Sequence, residues 1–346
     1  MQTLYFDLRD TKGQQKEIED KISAAAKLLR EGGLVAVPTE TVYGLGANGL
    51  DGEAVKKIFA AKGRPGDNPL IVHIRAAEEL LPLIAGEPGA QARALMEAFW
   101  PGPLTLIFPK SECVPPRVTA GLATVAVRMP SHPVARALIE AAGVPIAAPS
   151  ANRSGRPSPT TALDVLEDMD GRVPLTLDGG PCQVGVESTV VDLTGGTPRV
   201  LRPGGITRAQ IEEVANACEI DHAVLHPLGE GERPRSPGMK YKHYAPQGEV
   251  TVFRGERAVE NIISRYDASE DALILALEGD IPRFGARRCL SLGADAASMA
   301  ARLFHALREA DRMGAKVILC EAVEPVGVGL AVMNRLLRAA AFRVVD

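Results

Sequence analysis

The amino-acid sequence predicts an α/β protein of two domains, and three observations lead to this prediction. The chain has 346 residues, which is too long for one ordinary core and sufficient for two. Before residue 222, short apolar runs interleave with helical patterns, as in a layered α/β fold. Residues 222–247 then interrupt the pattern with prolines, glycines and charges. Strand and helix patterns alternate again over residues 249–346, which predicts a small parallel sheet.

The first region contains several predicted helices and many short strands. Apolar side chains at helical spacing predict helices at residues 17–30 and about 51–61, two more before Trp100, and one that starts at a Thr207/Gln210 capping box. Short apolar runs predict strands at residues 34–37, 70–74, 104–108, 124–127, 144–148, 174–177, 188–193 and 199–201. The segment 38–44 between the first strand and the next helix is rich in turn residues.

The second region repeats the alternation on a smaller scale. Its predicted strands lie at residues 250–253, 272–277 and 316–321. Its predicted helices lie at residues 258–266, after an N-cap at Asp295, and at 330–342. Residues 222–247 are too polar and too broken for a regular element, so we interpret them as a linker between the two regions.

Composition excludes several classes of protein. A net charge of -4 does not support long-range attraction to nucleic acid, and 4% aromatic residues argue against a base-stacking surface. The five cysteines form no C-x-x-C pair, which argues against a disulfide framework and against a structural zinc site. The charged N-terminus does not have the pattern of a signal peptide, and no apolar run is long enough to span a membrane. We therefore expect a cytoplasmic protein.

A glycine motif in the first region is a weak signal. Gly44, Gly46 and Gly49 match G-x-G-x-x-G, but the preceding strand is predicted to end near Val37. A dinucleotide site needs these glycines directly after the strand, so that the pyrophosphate meets the helix N-terminus. We therefore interpret the motif as a glycine turn.

Polar residues after several strands and one helix predict an anion-binding crevice. Lys62 and Arg64 end a helix in a Gly/Pro-rich loop, where they could clamp a phosphate or merely complement the helix dipole. Arg128 ends one strand, and Ser150 and Asn152 follow another. Ligands in open α/β sheets gather beyond the carboxyl ends of strands, although Ser and Asn also serve as ordinary turn residues.

Taken together and in this order, six segments of the first region resemble the YrdC-like family. They lie at residues 38–45, 62–64, 68–73, 149–152, 185–192 and 201–204. Residues 236–246 and 327–335 resemble the linker and second domain of the family's long form, the threonylcarbamoyl-AMP synthases. The resemblance implies a YrdC-like open twisted mixed sheet with helices at 15–205, a helix and linker or lid at 206–248, and a smaller Rossmann-like parallel-sheet domain at 249–346.

The resemblance also implies an activity and a set of site residues. Members of this family join L-threonine, bicarbonate or CO2, and ATP into L-threonylcarbamoyladenylate for modification of tRNA, with release of pyrophosphate. Lys62 and Arg64 would be the catalytic pair. The implied threonine pocket comprises Thr39, His73, Arg128, Ala148 and Ser188. The implied ATP contacts are Lys62, Arg64, Thr124, Ser150, Asn152, Ser158, Arg202 and Ser236.

Further expectations concern the lid, the metal and the partners. The composition of residues 236–244, including Tyr241, predicts a lid that closes over the nucleotide and excludes water. Mg²⁺ is expected to arrive with ATP through phosphates and water, without a protein metal cage. The product is expected to pass to a tRNA threonylcarbamoyltransferase complex.

Two alternatives remain open at this stage. The chain could be an RNA-binding module without chemistry, or another carbamoyl-transfer or nucleotide-hydrolysing enzyme on the same fold. Taken alone, His73 within an apolar strand is expected to be a satisfied core histidine; the resemblance makes it a threonine contact.

Overall fold

The computed structural model describes residues 2–9, 15–226 and 244–346 of the chain, and these fall into two compact units. The first unit contains the described residues of 1–154, 159–183 and 187–240. The second contains residues 155–158, 184–186 and the described residues of 241–346. The structure therefore divides the chain near the predicted linker, but two short segments of the first region belong to the second unit.

The first unit is built on one mixed sheet of eleven strands. The strands are β1 (Leu4–Asp7), β2 (Val35–Val37), β3 (Gly44–Asn48), β4 (Ile71–His73), β5 (Leu104–Pro109), β6 (Thr124–Arg128), β7 (Ile146–Ala147), β8 (Leu175–Asp178), β9 (Thr189–Asp192), β10 (Arg199–Arg202) and β11 (Glu219–Ile220). Their order is β1-β8-β2-β3-β7-β4-β6-β5-β9-β10-β11. Strands in the interior of the sheet, such as β2, β5, β8 and β9, are short and almost continuously buried, which explains why their apolar runs were recognisable without strict alternation.

Helices accompany this sheet. They are α1 (Gln15–Arg30), α2 (Gly52–Lys62), α3 (Ala90–Phe99), α4 (Pro116–Thr119), α5 (Pro133–Ala142), α6 (Ala162–Met169) and α7 (Arg208–Ala215), with short 3₁₀ turns at Ala77–Leu83 and His222–Val224. The predicted capping box at Thr207 is present, and its side chain accepts from the Gln210 amide. The helices α5 and α6 were not predicted. They begin at Pro133 in the first helical turn and at a Thr161/Asp164 capping box, both of which are recognisable start signals.

The interpretation of the G-x-G-x-x-G motif as a turn was wrong for Gly44 and Gly46 and correct for Gly49, which lies in the turn after β3. Gly44 and Gly46 lie within β3, which pairs antiparallel with β2 and β7. A Cβ at Gly46 would lie 2.9 Å from Ile146 Cγ2 and 3.2 Å from Val35 O. Glycine is needed here because neighbouring strands approach closely, and not because a turn requires it.

The second unit contains a parallel sheet of five strands in the order β14-β13-β15-β12-β16. Its strands are β12 (Glu249–Phe253), β13 (Ala272–Ala276), β14 (Cys289–Ser291), β15 (Val317–Glu321) and β16 (Val344–Val345), and its helices are α8 (Ala258–Asp267), α9 (Ala296–Arg312) and α10 (Val328–Ala339). Asp295 caps α9 as predicted. The expected Rossmann-like parallel sheet is therefore confirmed.

The last residue of the predicted lid belongs to the second unit. The Tyr244 ring is buried, lies 5.1 Å from the Phe304 ring, and carries the Arg335 guanidinium 5.8 Å above its centre. Ser236 and Tyr241, which were assigned to the nucleotide and to the lid, lie outside the described residues. Across the described ranges, we find no helix with the length and apolarity of a membrane span.

Candidate active site

Polar side chains collect on one face of the eleven-stranded sheet. His73 on β4 lies opposite Arg128 on β6 and opposite Ile146 on β7, and Arg128 lies opposite Thr105 on β5. Residues directly opposite each other in a sheet point to the same face. His73, Arg128 and Thr105 therefore share one face, although they come from three separate strands.

The same face continues to other predicted site residues. Alternation along β6 and β7 places Thr124 and Ala148 on the face of Arg128. The Ala148 amide donates to Ile71 O at 3.0 Å, which keeps β7 beside β4 as the chain leaves the strand towards Ser150. An apolar floor lies between the polar groups and is formed by Ile71, Ile107, Ala126, Val190, Leu201 and Ala223.

Lys62 is buried and holds the segment that contains Ser150 and Asn152. Its Nζ donates to Ser150 O at 2.5 Å and to Asn152 O at 2.6 Å. Ser150 Oγ donates to Asn152 Oδ1 at 2.5 Å, which ties the two side chains together. An ammonium group has three N–H donors and no acceptor, so it suits a cluster of carbonyl oxygens. The structure thus brings three of the predicted residues into one hydrogen-bonded cluster.

The loop after α2 starts with a left-handed turn. Gly63 has φ +61°, its amide donates to Ala60 O, and the Arg64 amide donates to Phe59 O, which closes the helix end. This turn allows Lys62 to point inward from the helix while Arg64 leaves it two residues later. Asn68, further along the same loop, is fully buried at 0% exposure.

Arg128 and Glu40 form a buried ion pair. Arg128 Nη2 lies 2.6 Å from Glu40 Oε1, in an ion-pair contact without hydrogen-bond geometry, and both side chains are buried. Arg128 also donates from Nη1 to Thr41 Oγ1 at 2.9 Å and from Nε to Gly102 O at 3.2 Å. Burial is the largest single influence and opposes ionisation of Glu40, but the charge and hydrogen bonding of Arg128, together with backbone amides at Glu40 and Ser131, hold the pKa of this carboxyl below its ordinary value.

His73 is a neutral imidazole in this site. Burial, together with the nearby charge of Arg128, lowers its pKa to about 3. Its Nδ1 lies 3.3 Å from Ile146 O, which can only accept, so the proton belongs on Nδ1 and Nε2 is the acceptor nitrogen. The expectation that His73 is a core histidine with its hydrogen bonds satisfied is therefore correct for Nδ1, which has a backbone partner.

Ser188 and Arg202 form a second cluster on the neighbouring strands. Ser188 Oγ lies 2.8 Å from Thr105 Oγ1, the partner of Arg128 in the sheet. Arg202 donates from Nε to Ser188 O and from Nη2 to Ser188 Oγ, each at 3.1 Å. The two hydroxyls thus link Arg202 to Thr105 on β5, the strand that pairs with the one that carries Arg128.

Two more predicted residues have a defined place. Thr39 Oγ1 donates to Val42 O at 2.6 Å and accepts from two backbone amides, so this side chain holds the turn that carries Glu40. Ser158 is fully buried and belongs to the second unit, and its role at the nucleotide stays a prediction.

Four buried polar residues of the first unit were not predicted as site residues. Glu40, Thr41, Asn68 and Thr105 were not selected, although the first three stand inside the motifs that carried the family resemblance. An acid in a turn that precedes a strand gives no signal of its own until its cationic partner is known. Thr105 gives none, because a threonine inside an apolar strand is ordinary.

Two family models match the chain. Residues 27–204 match a model described as "Telomere recombination", which covers Sua5, YciO and YrdC. Residues 206–341 match a model described as "Threonylcarbamoyl-AMP synthase, C-terminal domain". The two matches divide the sequence between residues 204 and 206, at the end of the first sheet's motifs.

Full-length relatives and a solved structure agree with these matches. A threonylcarbamoyl-AMP synthase of Pyrococcus abyssi is 49% identical over 96% of this chain and 97% of its own. One from Bacillus subtilis is 48% identical over 94% of this chain and 95% of its own. A crystal structure of P. abyssi Sua5 complexed with L-threonine matches with a TM-score of 0.92 at 48% identity, covering 99% of both chains.

Proposed function

The chain belongs to the threonylcarbamoyl-AMP synthase family, and on that premise we propose that it makes L-threonylcarbamoyladenylate from L-threonine, bicarbonate or CO2, and ATP. The reaction makes it a nucleotidyltransferase whose product serves threonylcarbamoyl-adenosine modification of tRNA. The observation that carries the proposal is the match of both domains to this family over nearly the full chain. The hydrogen-bonded cluster of Lys62, Ser150 and Asn152 is where the proposal places the reaction.

The proposed chemistry has two steps. The threonine amine adds to CO2 and gives a carbamate with loss of one proton; when bicarbonate replaces CO2, water leaves instead of the proton. A carbamate oxygen then attacks the α-phosphorus of ATP, and pyrophosphate leaves. Such transfers need little covalent assistance, so alignment of the reactants and neutralisation of charge dominate catalysis.

Lys62 would have a structural role in the protein and a catalytic role towards the substrates. Its contacts with Ser150 O and Asn152 O hold that segment in one conformation before ATP arrives. The Ser150 and Asn152 side chains would orient the nucleotide, with Thr124 on the same face. Arg64 and Arg202 would supply positive charge for the phosphates, because a guanidinium group can donate two parallel hydrogen bonds to phosphate oxygens.

Arg128 and His73 would bind threonine. A guanidinium carries five N–H groups, and the contacts with Glu40, Thr41 and Gly102 engage three of its atoms. The second hydrogens of Nη1 and Nη2 suit a carboxylate. The neutral His73 would accept a hydrogen bond at Nε2 from the threonine amine or hydroxyl, in a pocket completed by Thr39, Ala148 and Ser188.

Mg²⁺ would enter with ATP. The part of the chain that the structure describes contains no group of three or more side chains that could hold a metal ion. Coordination through phosphates and water suits this ion, which gives up its waters reluctantly. Bound Mg²⁺ would supply charge neutralisation at the phosphates.

The product carries a reactive mixed anhydride between a carbamate and a phosphate. We expect hand-off to a tRNA threonylcarbamoyltransferase complex, because such a bond is lost to water when it is left free. We also expect a cytoplasmic location, since all five cysteines are free thiols.

Release of pyrophosphate tests the proposal. We expect release to require threonine, a CO2 source and ATP together, and to stop when any one is withheld. Release without threonine would indicate a nucleotide hydrolase instead. If the chain bound RNA tightly, with affinity falling steeply as salt rises, and released no pyrophosphate, the RNA-binding alternative would replace the proposal.

A further inference from the structure

The loop of residues 178–182, which leaves the end of β8, is held by one buried hydroxyl. The Tyr43 side chain is fully buried, and its hydroxyl lies 2.7 Å from Gly180 O and 3.1 Å from Asp178 Oδ1. The same hydroxyl accepts from the Gly179 amide at 3.3 Å, and Asp178 Oδ1 accepts from the Gly180 amide at 2.8 Å. Three consecutive residues of this brace loop therefore contact a single phenol.

The brace loop packs against residues 38–42, the site turn between β2 and β3. A Cβ on Gly179 would lie 2.8 Å from Pro38 Cγ and 2.5 Å from His132 Cε1. Neither ring can move aside cheaply, because the proline ring is closed onto its own backbone and a backbone amide of α5 binds His132 Nδ1 at 3.2 Å. Glycine therefore allows the loop to approach the turn, and a side chain at this position would push the two apart.

The site turn in its turn holds the arginine to which the proposed function assigns the threonine carboxylate. The Cys182 thiol of the brace loop hydrogen-bonds the Thr39 backbone. The next two residues of the turn hold the guanidinium group of Arg128. Glu40 Oε1 lies 2.6 Å from its Nη2, and Thr41 Oγ1 accepts from its Nη1 at 2.9 Å. Contacts thus run without a break from the buried phenol through the loop and the turn to this guanidinium group.

We propose that Tyr43, acting through the brace loop, is a positioning residue for the threonine site. Its hydroxyl keeps the loop against the site turn, and the turn keeps the Arg128 guanidinium group where a carboxylate can bind. A residue that favours the binding-competent arrangement raises affinity by raising the population of that arrangement. This inference rests on the proposed function, because it concerns the pocket in which that function places threonine.

The nucleotide segment depends on the backbone of Tyr43 and not on its hydroxyl. The Tyr43 carbonyl accepts from the Ala151 amide at 2.8 Å, within the segment that carries Ser150 and Asn152. The Tyr43 amide donates to Pro159 O at 2.9 Å. These main-chain bonds persist when the hydroxyl is removed. Loss of the hydroxyl should therefore weaken threonine binding and spare nucleotide binding, which separates positioning from general disruption.

Two variants and two matched controls test the proposal. Tyr43→Phe removes the hydroxyl alone, and Gly179→Ala pushes the brace loop away from the site turn. Tyr5→Phe is the control for the first, because Tyr5 donates to the other oxygen of the same Asp178 carboxylate, from the edge strand β1. Gly248→Ala is the control for the second, since its Cβ would lie 2.4 Å from a backbone oxygen of the second unit. Calorimetry gives the Kd for threonine and for a non-hydrolysable ATP analogue, and thermal unfolding gives the Tm.

We expect Tyr43→Phe to raise the Kd for threonine about fivefold, which is the scale of one neutral hydrogen bond. Gly179→Ala should raise it about tenfold or more, because displacing a binding group by a fraction of an ångström to an ångström is costly. In both variants the Kd for the ATP analogue should stay within about twofold of the wild-type value. The two controls should leave both Kd values within about twofold, whatever their effect on the Tm.

Three results would overturn the proposal. An unchanged Kd for threonine in Tyr43→Phe would make the hydroxyl a purely structural group. Equal weakening of threonine and of the ATP analogue would show general disruption of the fold, and so would the same weakening in a control. If Gly179→Ala does not fold, Tyr43→Phe and Tyr5→Phe decide alone. Threonine binding is measured without turnover, so failure here is distinct from failure of the proposed function, in which wild type releases no pyrophosphate.

Discussion

The buried ion pair of Glu40 and Arg128 gives the sharpest prediction about stability. Glu40→Gln keeps the size of the side chain and removes its charge, so Arg128 remains buried without a counter-ion at the 2.6 Å contact. Removing one partner of a buried pair typically costs 3–5 kcal/mol. The single amide oxygen of glutamine can still accept from the Ser131 amide, which Glu40 Oε2 binds at 3.2 Å, so one of the carboxylate's two contacts is kept. We therefore expect a loss of about 3 kcal/mol, at the lower end of that range.

Urea unfolding measures this loss as a shift in midpoint at unchanged slope. A double-mutant cycle with Arg128→Met then isolates the pair, because the second substitution removes the charge that the first leaves uncompensated. The double variant should be more stable than the sum of the two single effects predicts, by about 1 kcal/mol or more. A loss below about 0.5 kcal/mol for Glu40→Gln, or full additivity, would refute the reasoning.

The same pair predicts a dependence on pH. The pKa of Glu40 is lower in the folded protein than its ordinary value of 4.5. Its contribution to stability is therefore complete above pH 4.5 and is lost as the pH falls through the lower folded-state pKa. Glu40→Gln should show a shallower loss of stability on the acid side. An identical acid profile in both proteins would contradict this assignment.

Three further predictions follow from the geometry. Lys62→Met should lose about 2–4 kcal/mol and lower turnover more than a hundredfold, because two buried carbonyls lose their donor; turnover within tenfold of wild type would contradict it. Burial and Asp280 raise the pKa of Glu321 to about 7, so the free energy of unfolding falls as the pH rises from 4.5 through 7. In urea unfolding at several pH values, Glu321→Gln should reduce this fall by about 1 kcal/mol. Gly204→Ala would put a Cβ 2.4 Å from two backbone atoms and should lower stability by more than about 1 kcal/mol; an unchanged urea midpoint would contradict this.

Much of the fold could be predicted because its signals are local. The helix α2 has an Asp51 cap and a Gly63 end, and its limits agree with the pattern in the sequence. The motif around Gly46 was misread because its requirement comes from Ile146 and Val35, which meet it only in the folded sheet. Close approach between strands distant in sequence leaves no local signature.

The site residues show the same contrast between signals in the neighbouring sequence and contacts that form only in the folded protein. Lys62 and Ser150 were selected because the residues around them resemble a family, but the bond between them joins positions 88 residues apart. Glu40 was missed because a lone acid in a turn is usually solvated, and its role depends on Arg128 across the sheet. Asn68 was missed because burial without a partner is visible only in three dimensions.

The most direct test of the central claim is the fate of labelled carbon. The protein is incubated with ¹³C-bicarbonate, threonine and Mg-ATP, and the products are read at once by mass spectrometry. The account predicts an adenylate that contains threonine and one ¹³C atom, formed together with pyrophosphate. Formation of ADP and phosphate, or of an adenylate that lacks the ¹³C atom, would contradict it.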